Sequence, residues 1–133
     1  MKLTAQSFLS PVVLSATLIL SLPAFAQTDV CKSETISDMQ KCADQNLKQS
    51  EKALNAEYQQ LVATLSDKKA TDMLKNLQAA ENLWIRTRTA DCKLYKTFYK
   101  GGSLADVSVT NCMDAAAKQR LTVLQSFKDE FSR

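Results

Sequence analysis

One segment, residues 77–92, constrains the fold of this chain most, because it places the only tryptophan among charged residues at helical spacing. Four residues recur there at steps of three and four, so a helix carries them on one face. They are Glu81, Trp84, Arg88 and Cys92. A face that holds a tryptophan and a cysteine is expected to turn inward, and buried charges need partners of opposite sign. The segment therefore predicts that packed helices supply those partners.

Amphipathic periodicity predicts a long first helix. Between Ile36 and Leu65 apolar residues recur every three or four positions, with one turn skipped at Ser50. Thr35 or Ser37 is expected to cap its start. Its predicted stripe consists of Ile36, Met39, Ala43, Leu47, Leu54, Tyr58, Leu61 and Leu65.

Two further helices are expected after residue 66. Ser66-Asp67 is predicted to cap the second, and Gly101-Gly102, the only glycines, are predicted to end it with positive φ. Gly101–Asn111 is interpreted as a true loop before the third helix. The stripe of the second helix is Leu74, Leu77, Glu81, Trp84, Arg88, Cys92, Tyr95 and Phe98, and that of the third is Met113, Ala116, Arg120, Leu124, Phe127 and Phe131. None of the three helices can bury its stripe alone, so we expect an all-α, disulfide-stapled, up-down-up three-helix bundle with two long antiparallel helices.

The N-terminal 26 residues have the pattern of a cleavable signal peptide. Lys2 precedes an apolar run, and Ala24-Phe25-Ala26 offers the small residues that signal peptidase reads. We expect cleavage before Gln27, a domain over residues 27–133, and a periplasmic protein. The run between the two prolines, Pro11 and Pro23, is shorter than the roughly 20 residues of a spanning helix.

Four cysteines in an exported domain predict disulfides. The chain has no histidine and no closely spaced cysteine pair, so neither a metal nor a cofactor is expected. Three pairings are possible. Cys31–Cys42 with Cys92–Cys112 is favoured, since each pair flanks a predicted helix terminus, and a Cys42–Cys92 bond is the alternative. Cys31 does not stand at the cleavage point, which argues against a lipoprotein.

Charge and motifs exclude several classes of function. Without Lys2 the chain has 16 basic and 14 acidic residues, a nearly neutral balance that does not suit nucleic-acid binding. No other stretch is apolar enough for a membrane span. There is no histidine base, phosphate-binding loop or nucleophile motif, so we do not expect an enzyme.

Helix levels predict where the buried charges find partners. If the first two helices turn near residue 68 and Cys92 is level with Cys112, one cluster forms from all three helices. Its members are Glu51, Glu81, Trp84, Arg88 and Arg120. Such a cluster is either a binding site or a salt-bridge network that fixes helix register, and we favour the network because it supplies its own pairs.

The same residues, with others, resemble the LprI-like family of small exported bacterial domains named for lysozyme inhibition. The matching residues are Cys31, Cys42, Leu54, Asn55, Tyr58, Glu81, Trp84, Arg88, Cys92, Gly101, Gly102, Ser103, Cys112, Arg120 and Leu124. The chain departs from the family's pattern at Glu51, where Asp is frequent, and at Ala117, where Thr is frequent. The resemblance implies a role similar to that of a lysozyme inhibitor.

Two functions follow as hypotheses. The first is a binding protein that blocks a lysozyme or another peptidoglycan hydrolase, and the second is a structural or stress-related envelope domain. For the first, the segment after the second helix is the predicted contact, because a cation and a small polar tip there suit a cleft with two carboxyl groups. The residues proposed for this contact are Tyr99, Lys100, Gly101, Gly102 and Ser103.

Overall fold

The computed structural model describes residues 29–133, which form three helices after a short 3₁₀ turn at Val30–Lys32. Helix α1 spans Ile36–Asp67, α2 spans Thr71–Phe98 and α3 spans Leu104–Phe131. Residues 29–133 contain no strand, and the predicted all-α three-helix fold is confirmed. None of these helices is long and apolar enough to cross a membrane. The predicted signal peptide, residues 1–26, lies outside the described residues.

Helices α1 and α3 form the most extensive packing pair, and they run parallel. The amide of Gln40 donates to the Thr110 hydroxyl, 70 residues away, at 3.1 Å. Near the other end Lys128 donates to Gln60, 68 residues away, at 2.9 Å. An almost constant offset in sequence requires parallel helices in register. Between them lie the buried residues Ala43, Ser50, Leu54, Glu57, Leu61, Leu65, Asp114, Ala117 and Leu124.

Helix α2 returns the chain from the end of α1 to the start of α3, and it buries little of itself. Its only buried residues are Leu77 and Cys92. Leu77 joins the apolar core near the α1–α2 turn, where Leu61, Leu65 and Leu124 are almost fully buried. The second half of α2 is therefore positioned by polar contacts and by a disulfide more than by apolar packing.

The structure contains the favoured disulfide pairing. Cys31 bonds to Cys42 with their Cα atoms 5.0 Å apart, and Cys92 bonds to Cys112 with their Cα atoms 5.5 Å apart. The first bond ties the 3₁₀ turn to α1. The second joins the C-terminal half of α2 to α3.

The two ends of α1 show how local chemistry sets its boundaries. At the start the Thr35 hydroxyl accepts from the Asp38 amide at 3.2 Å, as one of the two predicted caps requires. The predicted Ser66-Asp67 cap of α2 is wrong, because both residues remain in α1. Lys69 instead takes a left-handed φ of 55° and ends α1, while α2 begins after Ala70 without a side-chain cap.

The predicted loop at residues 101–111 is also wrong, since α3 already begins at Leu104. Only Tyr99–Ser103 connects α2 to α3. Lys100, with φ of 49°, and Gly101, with φ of 72°, reverse the chain. Gly102 does not have positive φ, but a Cβ there would lie 3.2 Å from the Tyr99 carbonyl oxygen. Helical residues follow directly because no helix breaker stands after Gly102.

Some predicted stripe positions lie elsewhere. Ser50, where the predicted apolar stripe of α1 skips one turn, is buried. By contrast, the predicted stripe residues Phe98 and Tyr95 are 76% and 43% exposed. In α3 Ala105 and Ala117 are buried, while the predicted Ala116 is half-buried. A helix with 3.6 residues per turn drifts out of phase with a stripe read at fixed steps, and this drift carries Phe98 away from the core.

Candidate functional site

Helix α2 brings the predicted charged cluster together around Trp84. Glu81, Trp84 and Arg88 lie on adjacent turns of one face. Arg88 Nη2 lies 3.1 Å from Glu51 Oε1 on α1. The Arg88 guanidinium lies over the tryptophan ring, 4.7 Å from its centroid. The first ion pair therefore links α2 to α1.

A second ion pair links α2 to α3. Arg120 Nε donates to Glu81 Oε2 at 2.9 Å, and Nη2 of the same arginine lies 2.8 Å from that oxygen. The Arg120 guanidinium is 5.8 Å from the centroid of the Trp84 ring. Because both arginines lie within cation–π distance of one ring, Trp84 sits at the junction of all three helices.

The two pairs differ in their exposure to solvent. The side chains of Arg120 and Glu81 are 12% and 13% exposed, so this pair is nearly buried on both sides. Arg88 is 13% exposed, but its partner Glu51 is 40% exposed. The Glu81–Arg120 pair is therefore largely shielded from solvent, while Glu51 is much more open to it.

Glu51 lines a groove of about 490 Å³ between α1 and α2. Its walls combine aromatic, amide and charged side chains, a mixture that supports hydrogen bonding and stacking. Six of the residues that carry the family resemblance line it: Leu54, Asn55, Tyr58, Glu81, Trp84 and Arg88. The remaining lining residues are Glu51, Gln59, Gln78, Asn82 and Ile85.

The residues proposed for partner contact form the turn between α2 and α3. Lys100, Gly101, Gly102 and Ser103 are exposed, and Tyr99 is half-buried. The Gly101 amide donates to the Lys96 carbonyl at 3.1 Å and the Gly102 amide donates to the Tyr99 carbonyl at 2.9 Å. These bonds make the turn a closed, hydrogen-bonded cap rather than a long loop. The structure places this turn away from the charged cluster, since the two occupy different levels of α2.

Sequence reasoning missed two groups of residues. Glu57 and Asp114 are buried between α1 and α3, where they pair with Lys128 and Lys118. Glu57 and Asp114 each lie three or four positions from buried apolar residues in the sequence, and this spacing could have indicated that they are buried. The second group is a set of exposed apolar residues on α2 that lie on a different face from the predicted inward stripe.

Two comparisons with known proteins give a match, one to a family model and one to a bacterial protein. A family model described as "Lysozyme inhibitor LprI" matches residues 29–124. A protein of Rhizobium meliloti (strain 1021), described only as uncharacterized, is 29% identical over 128 residues, which cover 87% of this chain and 92% of that protein. No solved structure gives a significant match.

Proposed function

This chain belongs to the LprI family of lysozyme inhibitors, and from that premise we propose that it blocks a muramidase by protein–protein contact rather than acting as an enzyme. The target that it would block is a lysozyme or another peptidoglycan hydrolase. We further propose that the α2–α3 turn, Tyr99–Ser103, enters the cleft of that enzyme. Two features of the turn support this proposal. Its backbone is held in place by both neighbouring helices, and its tip carries an exposed cation.

The helices on both sides hold the turn firmly. The Cys92–Cys112 bond lies about two helical turns below it. Closer to the tip, Lys96 Nζ pairs with Asp106 Oδ1 at 2.7 Å and joins the last turn of α2 to the first turn of α3. A pre-organised tip loses little conformational entropy when it is inserted into a cleft, so more of the contact energy appears as affinity.

The chemistry of the tip suits a cleft with acidic groups. Most glycosidases cut their substrate between two carboxyl groups. Lys100 is exposed at the tip, and among residues 29–133 it forms no ion pair. Phe98 is 76% exposed beside it and packs edge-on against Tyr99 with ring centroids 5.0 Å apart. The turn thus offers a free cation flanked by an aromatic contact for the rim of a cleft.

The test is a lysozyme turbidity assay with wild type and with a double variant, Lys100→Glu with Ser103→Ala. We expect the double variant to inhibit at least tenfold more weakly, a change of about 1.4 kcal/mol. The melting temperature should not change, because the Ser103 side chain forms no capping hydrogen bond.

Lys69→Glu is the matched control. Lys69 has nearly the same left-handed backbone, with φ of 55° against 49° for Lys100, and it lies at the opposite end of α2. It should leave inhibition unchanged. If the double variant inhibits as well as wild type, the contact lies elsewhere, and the α1–α2 groove becomes the leading surface. If wild type inhibits no muramidase, a structural or stress-related envelope role is favoured instead.

The proposal includes export to the periplasm. Two disulfides and no free cysteine among the described residues fit an oxidising compartment. We expect the exported protein to begin at Gln27, which N-terminal sequencing of periplasmic material tests. A protein that keeps residues 1–26 would contradict this part of the proposal.

A further inference from the structure

The most exposed large apolar side chains of the described chain share one face of α2. Phe98 is 76% exposed, Leu94 is 67% exposed and Leu83 is 63% exposed. Exposing several such residues to water in one continuous stripe is unfavourable in free energy, whereas isolated exposed apolar residues are ordinary. This face is distinct from the inward face that carries Trp84 and Cys92.

The stripe has the spacing of a coiled-coil seam. Uncharged, apolar or small residues occupy alternating steps of three and four over almost three heptads, and all are exposed. They are Ala80, Leu83, Thr87, Ala90, Leu94 and Thr97. Helix α2 contains eight charged residues, and none of them falls on these positions. The distribution keeps the seam free of charge along its length.

The residues on either side of the seam carry complementary chemistry. Arg86 and Lys93 occupy one flank, and Asp91 and Phe98 occupy the other. Within the described residues, neither Arg86 nor Lys93 nor Asp91 forms an ion pair. One flank is therefore basic, while the other presents a carboxylate and an exposed aromatic ring.

We propose that this face is an interface between two copies of the chain, with the two α2 helices packed in parallel about a twofold axis. In a parallel pair, each residue on one flank meets the residue five positions later on the opposite flank of the other copy. Arg86 then meets Asp91 of the second copy, and Lys93 meets Phe98 of the second copy, as an ion pair and a cation–π contact. The twofold axis forms each contact twice.

The charges also select the direction of pairing. In an antiparallel pair like flanks face each other, so Arg86 would approach Lys93 of the second copy. Juxtaposed like charges disfavour that arrangement. The parallel arrangement has a structural result as well, because both α2–α3 turns then lie at the same end of the dimer. The interface itself does not depend on the proposed inhibition of a muramidase.

The test is sedimentation velocity on the full chain, expressed for export and purified with both disulfides intact. We expect a monomer–dimer equilibrium with a dissociation constant between about 1 and about 100 μM, because the seam is short. Leu83→Glu with Leu94→Glu should weaken association at least 100-fold. Val123→Glu, at a residue 39% exposed on α3, is the matched control and should change nothing.

A charge exchange tests the parallel arrangement. Arg86→Asp alone should weaken association about tenfold, since it sets two carboxylates against each other across each flank. Asp91→Arg alone should weaken it similarly, and the two changes together should restore it. Circular dichroism and melting temperature confirm that each exposed variant remains folded.

Three results would overturn the proposal. One is a wild-type protein that stays monomeric up to about 1 mM. Another is a loss of association with Val123→Glu as large as that with the two leucine changes. The third is stronger association with Arg86→Asp, because removing a repulsion from Lys93 of the second copy is the response of an antiparallel pair.

Discussion

At the scale of single residues, the two arginines around Trp84 neutralise carboxylates in different surroundings. Glu81 is 13% exposed and Glu51 is 40% exposed. Removing Arg120 leaves a nearly buried charge without a partner, which costs about 3 to 5 kcal/mol. Removing Arg88 leaves a carboxylate that water reaches, so the loss is about 1 to 2 kcal/mol from the ion pair and the ring contact.

Urea unfolding of Arg120→Ala and Arg88→Ala measures this difference. A second measurement separates structure from function, since a register-fixing network predicts that Arg88→Ala binds a muramidase as wild type does once it is folded. If Arg88→Ala melts like wild type and loses the interaction, the cluster is a binding site. Equal losses of stability in the two variants would contradict the role assigned to burial.

The cluster could be predicted from sequence, but the difference between its two pairs could not. Helical spacing puts Glu81, Trp84 and Arg88 on one face, and the turn position and the cysteines set the levels of Glu51 and Arg120. The groove between α1 and α2 and the exposure of Glu51 depend on how these two helices pack, and no spacing rule in the chain encodes that packing.

At the scale of elements, the start of α1 responds to pH through Asp38. Hydrogen bonds from the Ser33 hydroxyl, the Lys41 ammonium and the Thr35 hydroxyl lower the pKa of Asp38 to about 2. The folded pKa is below that of the unfolded chain. The stabilisation is therefore complete above the ordinary aspartate pKa of about 4 and is lost as pH falls through about 2.

An NMR titration of the Asp38 carboxyl carbon tests this expectation. The midpoint should be about 2 in wild type and should rise in Ser33→Ala, which removes the largest contribution. In Asp38→Asn the stability of the first turn of α1 should no longer depend on pH in this range. A midpoint that Ser33→Ala leaves unchanged would show that the hydroxyl does not hold the carboxylate.

The helices themselves could be predicted, and the errors lie at their junctions. The Thr35 cap has a side-chain signature, so the start of α1 was accessible to sequence reasoning. The end of α1 was not, because Lys69 adopts a conformation usually taken by glycine. The glycine pair at the other junction suggested a loop, whereas it occupies the third and fourth positions of a five-residue turn.

At the scale of the whole molecule, α2 depends on one covalent link. Replacing Cys92 and Cys112 by serine should lower the free energy of unfolding by about 3 kcal/mol. Replacing Cys31 and Cys42 should cost less, because the 3₁₀ turn that they tie down has no buried residue and gains freedom in the folded state.

Hydrogen exchange of the backbone amides shows which part of the protein loses stability when a disulfide is removed. Without the Cys92–Cys112 bond, amides in the second half of α2 should exchange faster while those of α1 and α3 keep their protection. The Cys31–Cys42 variant is the control, and its faster exchange should be confined to the residues before α1. Uniformly faster exchange across all three helices in the first variant would mean that α2 is not held separately.

The up-down-up topology of the bundle could be predicted from the sequence. Which two helices pack together most extensively could not. Three amphipathic helices with short connections favour an up-down-up bundle. That topology does not say which two helices share most of the core, and in the structure α1 packs most extensively on α3. Small residues at Ala43, Ser50 and Ala117 allow this close approach, and their importance emerges only when the two helices are seen in register.

The parallel pairing of α1 with α3 also has a kinetic consequence. Most tertiary contacts join residues about 70 positions apart, as the Gln40–Thr110 hydrogen bond does. Helical bundles usually fold quickly because their contacts are local, and the rate falls as the mean sequence separation of contacts grows. This chain should therefore fold more slowly than a three-helix bundle of the same length whose neighbouring helices share the core. On a ribosome, α1 would wait for nearly the entire chain before it meets its main partner.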